Sequence, residues 1–211
     1  MSKSHENNGA GFSERGQESY ADIPTDPDTF MRWAASLSRD DGYKYELSGG
    51  KVIRMMIHVS RAHWRITKNL LTEIERMLDA RRFEAGPSEF GVKTGVGVRY
   101  PDVLVDQHND RLKDLACEAP ILIVEVLSPS TAVLDVTTKQ REYTAIPSLK
   151  TYLVCSQDEP RAWVWARKAD GSFPIDAEEF VGRDDTIPLG GLGIALSMAA
   201  IFRGIPDAPT P

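Results

Sequence analysis

Long apolar runs are missing from this chain of 211 residues. No stretch approaches the roughly 18 apolar residues that cross a bilayer, so no membrane association is expected. The first twenty residues, Met1 to Tyr20, are polar and lack the apolar segment of a secretory signal. Cysteine is scarce: Cys117 and Cys155 stand far apart in unrelated contexts. That excludes a disulfide framework and a cysteine zinc site, and it fits a reducing cytoplasm. The four histidines are scattered without paired spacing, which argues against a histidine-rich zinc site. Gly190-Gly191-Leu192-Gly193 lacks both the preceding strand and the lysine of a phosphate-cradling loop, and no serine nucleophile elbow occurs. Excess positive charge is missing as well: 25 Lys and Arg face 31 Asp and Glu, a net charge of -6. Neutralising phosphates calls for a basic surface. A nucleic-acid binder with this balance must therefore keep its cations in a local groove on an acidic body.

What remains is an ordinary globular composition, 41% hydrophobic and 27% charged, long enough for one domain with a substantial core. Residues 1–22 lack periodic apolar positions and read as a mobile tail. The proline-rich end, 204–211, reads as a second tail, leaving 23–203 as a single domain. Phe30, Trp33 and Leu37 recur at helical spacing, with Asp26 or Asp28 as cap, which predicts a helix over 28–37. Two strand-like runs joined by Ser48-Gly49-Gly50 predict a hairpin over 43–56. Ile66, Leu70, Ile74, Met77 and Leu78 form one stripe, which predicts a helix over 60–81 capped by Ser60. Strands are expected over 89–94, 96–106 and 120–127, then a helix over 132–146. Strands over 151–155 and 162–167, an irregular β segment and a short helix over 197–202 complete the series. The order is that of an α/β or α+β fold, a mixed central sheet flanked by helices.

Three residues carry chemistry. Glu125 stands inside Ile121-Leu-Ile-Val-Glu-Val-Leu127, a strand apolar on both faces and hence central. A carboxylate there must be paired, protonated or bound to a cation unless it reaches the strand's solvated end. Asp102 follows Pro101, which cannot donate to a strand ladder and marks an interruption that can aim a side chain into a site. It also reads as a plain turn aspartate. If the two strands are neighbours, the acids converge, and hard oxygen donors suit Mg²⁺ or Mn²⁺. Lys139 lies between the core-facing candidates Val136 and Tyr143 and could emerge beside the sheet, or form an exposed helix ion pair with Asp135. Trp163 and Trp165 share one strand face and read as core or contact residues before base-stacking ones.

Tyr45-Glu46-Leu47, His63-x-x-Ile66, Pro101-Asp102, Glu125-Val-Leu-Ser-Pro-Ser-Thr131 and Asp135-x-x-x-Lys139-x-x-x-Tyr143 together resemble the Uma-type family of endonucleases. That family is a branch of the restriction-endonuclease-like PD-(D/E)XK superfamily, and the likeness spans about residues 28–203. The Glu125 block with Lys139 and Tyr143 is its most specific part. The resemblance implies a nuclease core in which Asp102 and Glu125 hold Mg²⁺ or Mn²⁺ and Lys139 is the catalytic lysine. It implies a nucleic-acid substrate, DNA first, and two sites in a homodimer would suit a duplex cutter. Leu127 stands where the plain superfamily pattern has its lysine, and Lys139 from the next helix compensates for it. Glu46, His63 and Tyr143 are accessory candidates: Glu46 as a third carboxylate or a solvated hairpin residue, His63 as a ligand or a structural histidine. The contrasting reading is a nuclease fold retained as a non-catalytic module that binds nucleic acid or protein.

Overall fold

A computed structural model of the chain describes residues 17–18, 25–37, 42–87, 89–128 and 135–207. Helix α1 (Pro27–Ser36) starts where the Asp26 side chain accepts the Thr29 N–H and Pro27 supplies the first helical residue. Strands β2 (Tyr43–Ser48) and β3 (Lys51–Met56) form the expected hairpin. Its turn residues Gly49 and Gly50 both adopt positive φ, which a side chain would strain. Ahead of them β1 (Gln17–Glu18), inside the stretch read as tail, pairs with β3.

Helix α2 (Arg61–Met77) is capped by Ser60, whose hydroxyl accepts the His63 N–H. It ends four residues before the expected Arg81, because residues 79–82 turn the chain into β4 (Phe83–Pro87). That strand carries no alternating signal and is absent from the sequence reading. β5 (Gly91–Thr94) follows. The single strand expected over 96–106 is two: β6 (Gly97–Arg99) and β7 (Val103–Gln107), which belong to different sheets. Pro101 is the reason, since it breaks the ladder and lets the chain change sheets. At Gly97 a Cβ would lie 1.9 Å from the Leu47 carbonyl oxygen, so only glycine lets β6 close on β2.

β8 (Ala116–Cys117) and β9 (Leu122–Val126) come next. One π-helical turn (Asp135–Lys139) then runs into helix α3 (Gln140–Thr144). The start of the helix expected over 132–146 lies outside the described residues. β10 (Thr151–Cys155), β11 (Arg161–Ala166), β12 (Glu178–Val181), the hairpin β13 (Thr186–Leu189) and β14 (Ile194–Ser197), and α4 (Met198–Ile201) complete the order. One six-stranded sheet runs β1-β3-β2-β6-β5-β8, the other β12-β11-β10-β9-β7-β4. β9 is central in the second, parallel to β10 and antiparallel to β7. This is the expected α/β (α+β) class, a mixed arrangement with few helices, although the strands divide between two large sheets.

One core joins Ile66, Leu70 and Ile74 of α2 to Val103, Val105, Val124, Ile201 of α4 and Phe202 just after it. A second, with Leu104, Ile123, Tyr143, Tyr152 and Trp165, fills the other face of the β9 sheet. α1 seals the first sheet through Phe30 and Met31 against Leu47 and Val98. Burial on both faces explains why β9 and β10 carry continuous apolar runs. Trp165 is core, stacked on Tyr152 at 5.5 Å, with Trp163 partly buried beside it. Gly204 to Asp207, read as tail, are fastened: the Arg183 guanidinium donates to the Phe202 and Ile205 carbonyls and to Asp207. Among the described residues no helix is long and apolar enough to cross a membrane, and both cysteines are free and buried.

Candidate active site

The crossing between sheets places Asp102. β7 pairs with β9 from Val103 opposite Val124, so continuing the register by one residue sets Asp102 across from Glu125. At that point the ladder has ended. The Leu127 N–H reaches Cys155 on the β10 side, so the Val126 N–H faces the β7 side, where Pro101 has interrupted the pairing. The Asp102 carboxylate accepts it instead, Oδ2 lying 2.7 Å from the Val126 nitrogen. His63 Nε2, from the first turn of α2, lies 3.1 Å from the same oxygen. Burial disfavours the Asp102 anion, but His63, the Val126 N–H and nearby Lys44 outweigh it and hold the carboxyl below its usual range. Among the described residues Oδ1 has no hydrogen-bond partner.

Glu125 leaves β9 on the face lined by Ile123. Lys139 Nζ and the Tyr143 hydroxyl both donate to its Oε1, each at 2.9 Å. The two donors stand four residues apart, across the junction of the π turn and α3, and so share a face. π turns inside helices are frequent at functional sites. The pair is dry, with the Lys139 side chain 2% and Glu125 5% exposed. Lys139 is therefore not a solvent-exposed helix cation but a buried one set on Glu125. Tyr143 packs on Tyr152 at 5.3 Å, which orients its hydroxyl. Burial, then the Glu125 charge, push that phenol well above its usual range, so it acts as a donor.

Glu46, from β2, is neither solvated nor a free donor. It is fully buried; Arg99 donates to Oε2 at 2.9 Å and the Tyr100 N–H to Oε1 at 3.1 Å. Burial opposes its ionisation, but Lys139, Arg99 and Lys44 hold its carboxyl below the usual range. Arg99 then forks onto Glu142 of α3 at 2.7 and 2.9 Å, and Ser48 donates to the same carboxylate at 2.5 Å. Burial works against the Arg99 cation, yet its two carboxylates raise its pKa further. One guanidinium thus ties the segment leading to Asp102 to the helix carrying Lys139 and Tyr143. Arg99 and Glu142 are absent from the sequence reading. The available signal was an arginine inside Gly97-Val-Arg99, a strand otherwise buried.

His63 is nearly buried, and among the described residues its Nδ1 has no hydrogen-bond partner. The sequence expectation of a metal set can be tested on these donors. No group of three or more His, Cys, Asp and Glu converges among the described residues. What the site offers is the buried Glu125 carboxylate, held by Lys139 and Tyr143, and an Asp102 carboxylate bound to the Val126 N–H with one oxygen that has no hydrogen-bond partner among the described residues. That set suits a hard cation that keeps most of its waters and takes one or two carboxylates, and it is poor for zinc.

Glu46 yields a pH prediction. Its folded-state pKa is depressed, so its stabilisation is complete above the unfolded value of about 4.3 and is lost as pH falls through the lower folded value. Thermal melts should be flat from neutral pH to about pH 5 and fall below about pH 4, more steeply in the wild type than in Glu46→Gln. Parallel acid limbs would remove Glu46 from this role.

Comparison with known proteins bears on these residues. A family model described as "Uma2: Putative restriction endonuclease" matches residues 27–199. The uncharacterized protein slr1290 of Synechocystis sp. is 28% identical over 186 residues, 85% of this chain and 92% of the relative. A second Synechocystis protein, sll1609, also uncharacterized, is 32% identical over 119 residues, 54% of this chain and 67% of the relative. Among solved structures, one described as a putative nuclease belonging to DUF820 from Anabaena variabilis superposes with a TM-score of 0.65 at 18% identity, covering 82% of this chain and 96% of that one. At that identity the likeness speaks for the fold.

Proposed function

The chain belongs to the Uma2 family of restriction-endonuclease-like proteins, and from that premise we propose that it is a divalent-metal-dependent nuclease hydrolysing phosphodiester bonds, with DNA as substrate. The observation that carries the reading is Lys139 Nζ at 2.9 Å from Glu125 Oε1, buried, beside an Asp102 held at the next residue's N–H. A lysine from the next helix thus meets the acid that Leu127 cannot serve. Asp102 and Glu125 would hold Mg²⁺ or Mn²⁺. When bound, the cation polarises the phosphoryl group and lowers the pKa of an attacking water. His63 and the Val126 N–H orient Asp102 so that Oδ1 is left to face a ligand. Tyr143 and Lys139 fix the Glu125 carboxylate, and the Lys139 ammonium offsets negative charge developing on the phosphate. Two buried free thiols agree with a reducing, cytoplasmic setting.

The test combines Mn²⁺ calorimetry with cleavage of plasmid DNA. Wild type should bind Mn²⁺ and cut, and Asp102→Asn should lose both while melting as a folded protein. Neither binding nor cutting by the wild type would instead favour a retained nuclease fold that only binds its partner.

A further inference from the structure

The segment from Tyr43 to Lys68 inverts the charge of the whole chain. It holds six Lys and Arg residues against one carboxylate, in a protein with a net charge of -6. That carboxylate is Glu46, buried and spent on Arg99, so every carboxylate is absent from the surface of this segment. Lys44, Arg61 and Lys68 make no ion pair with a carboxylate among the described residues, whereas Arg76, Lys93, Arg111, Arg161 and Arg183 elsewhere do.

The basic segment reaches the candidate site from two directions. Lys44 Nζ donates to the Tyr100 carbonyl at 3.4 Å, two residues before Asp102, and adds to the field on that carboxylate. From the other side, α2 brings His63 onto Asp102. On the helix, Arg61, Trp64 and Lys68 fall within one solvent-facing arc, opposite the buried His63, Ile66 and Leu70. Trp64 is 53% exposed, and Lys68 lies over its ring at 5.5 Å. A large indole kept in water between two cations is poor packing and a good stacking platform.

We propose that this surface docks a single nucleic-acid strand. Its phosphates run along Lys44, Arg61 and Lys68, and an unpaired base stacks on Trp64 next to the Asp102 site. The proposal rests on the nuclease reading and deepens it. It also accounts for how an acidic chain engages a polyanion: this segment sets six cations against a single carboxylate, which is buried.

The experiment measures binding of a fluorescein-labelled oligothymidylate by anisotropy across a series of salt concentrations, with EDTA present so that no cleavage intervenes. Arg61→Glu/Lys68→Glu should weaken binding at least about tenfold and lower the log–log salt slope by about two. Trp64→Ala should weaken binding at least about fivefold, while Trp64→Phe, which keeps a ring, should restore most of it. The charge control is Arg81→Glu/Lys113→Glu, two exposed cations outside the Tyr43–Lys68 segment, and it should change affinity by less than about twofold. Matching melts establish that each variant folds. Equal losses in both double variants would reduce the effect to net charge and overturn the proposal. So would unchanged affinity in the first pair, or a dimer that Trp64→Ala dissociates without altering oligonucleotide affinity. If the wild type cuts DNA with Mg²⁺ but these variants bind normally, the docking surface fails while the nuclease reading stands. If they bind as expected and nothing is cut, the reverse holds.

Discussion

Replacing Lys139 with alanine is expected to abolish measurable cleavage and to destabilise the fold at the same time. The two losses have separate physical origins. Lys139 and Glu125 are buried as a pair, and removing one partner of a buried pair leaves an uncompensated charge, a loss of about 3–5 kcal/mol. Tyr143 continues to donate to Glu125 Oε1 and keeps the figure near the lower end. The catalytic loss is that of a preorganised group facing developing charge, about 10²- to 10³-fold when such a group is deleted. A single variant cannot separate these contributions, but a pair of variants can. Glu125→Gln/Lys139→Met removes both charges and keeps similar volumes, so its melting temperature should return toward that of the wild type. Its cleavage should remain absent. Recovery of stability together with activity would remove Lys139 and Glu125 from the chemistry. Chemical denaturation and a metal-dependent nicking assay on the same preparations make the comparison.

Arg99→Met is expected to have the largest effect on stability of any substitution distant from the reacting groups. The guanidinium is fully buried and serves Glu46 and Glu142 together. Its removal strands two carboxylates in the interior, where either must protonate or draw water in. The expected loss is at least about 3–5 kcal/mol, a large share of the roughly 5–15 kcal/mol that holds a domain folded. For a domain of this size that is a drop of about 10 °C or more in melting temperature. Glu46→Gln/Arg99→Met/Glu142→Gln should recover much of it, because amides carry no charge to strand. The position of α3 provides a second readout. Glu142, Lys139 and Tyr143 share one short helical segment, so releasing Glu142 should lower cleavage even at temperatures where Arg99→Met is folded. Full activity in a folded Arg99→Met protein would show that α3 holds Lys139 in place without this clamp.

Much of the local structure was legible because it follows from short-range rules. The Asp26 and Ser60 caps, the hairpin turn at Gly49-Gly50 and the α2 stripe Ile66, Leu70, Ile74 each depend on residues within a few positions of one another. Glu125 was legible for a related reason, since a carboxylate inside an apolar run is costly unless answered, and the answer proved to be Lys139 and Tyr143. The misreadings lie where partners are distant along the chain. β6 and β7 looked like one strand because alternation continues through Tyr100 and Asp102, and alternation does not reveal a change of sheet. Glu46 stayed open between a third carboxylate and a solvated hairpin residue because its partners, Arg99 and the Tyr100 N–H, lie more than fifty residues away. β4 was invisible because Phe-Glu-Ala-Gly-Pro has no pattern, and its pairing with β7 supplies what its propensity does not.

By itself the sequence determined that Glu125 could not stand unanswered inside an apolar strand, where helices begin, and that β9 runs through the middle of a sheet. These follow from the free energy of burying charge and apolar surface, which composition and spacing record. The tertiary structure alone decided that Asp102 meets the backbone of the residue after Glu125, that Lys139 turns inward, and that one arginine joins the two halves of the site. Those outcomes depend on long-range register and on two sheets closing around the Pro101 break. No local stretch of chain encodes such contacts, because their energy exists only once both sides have folded.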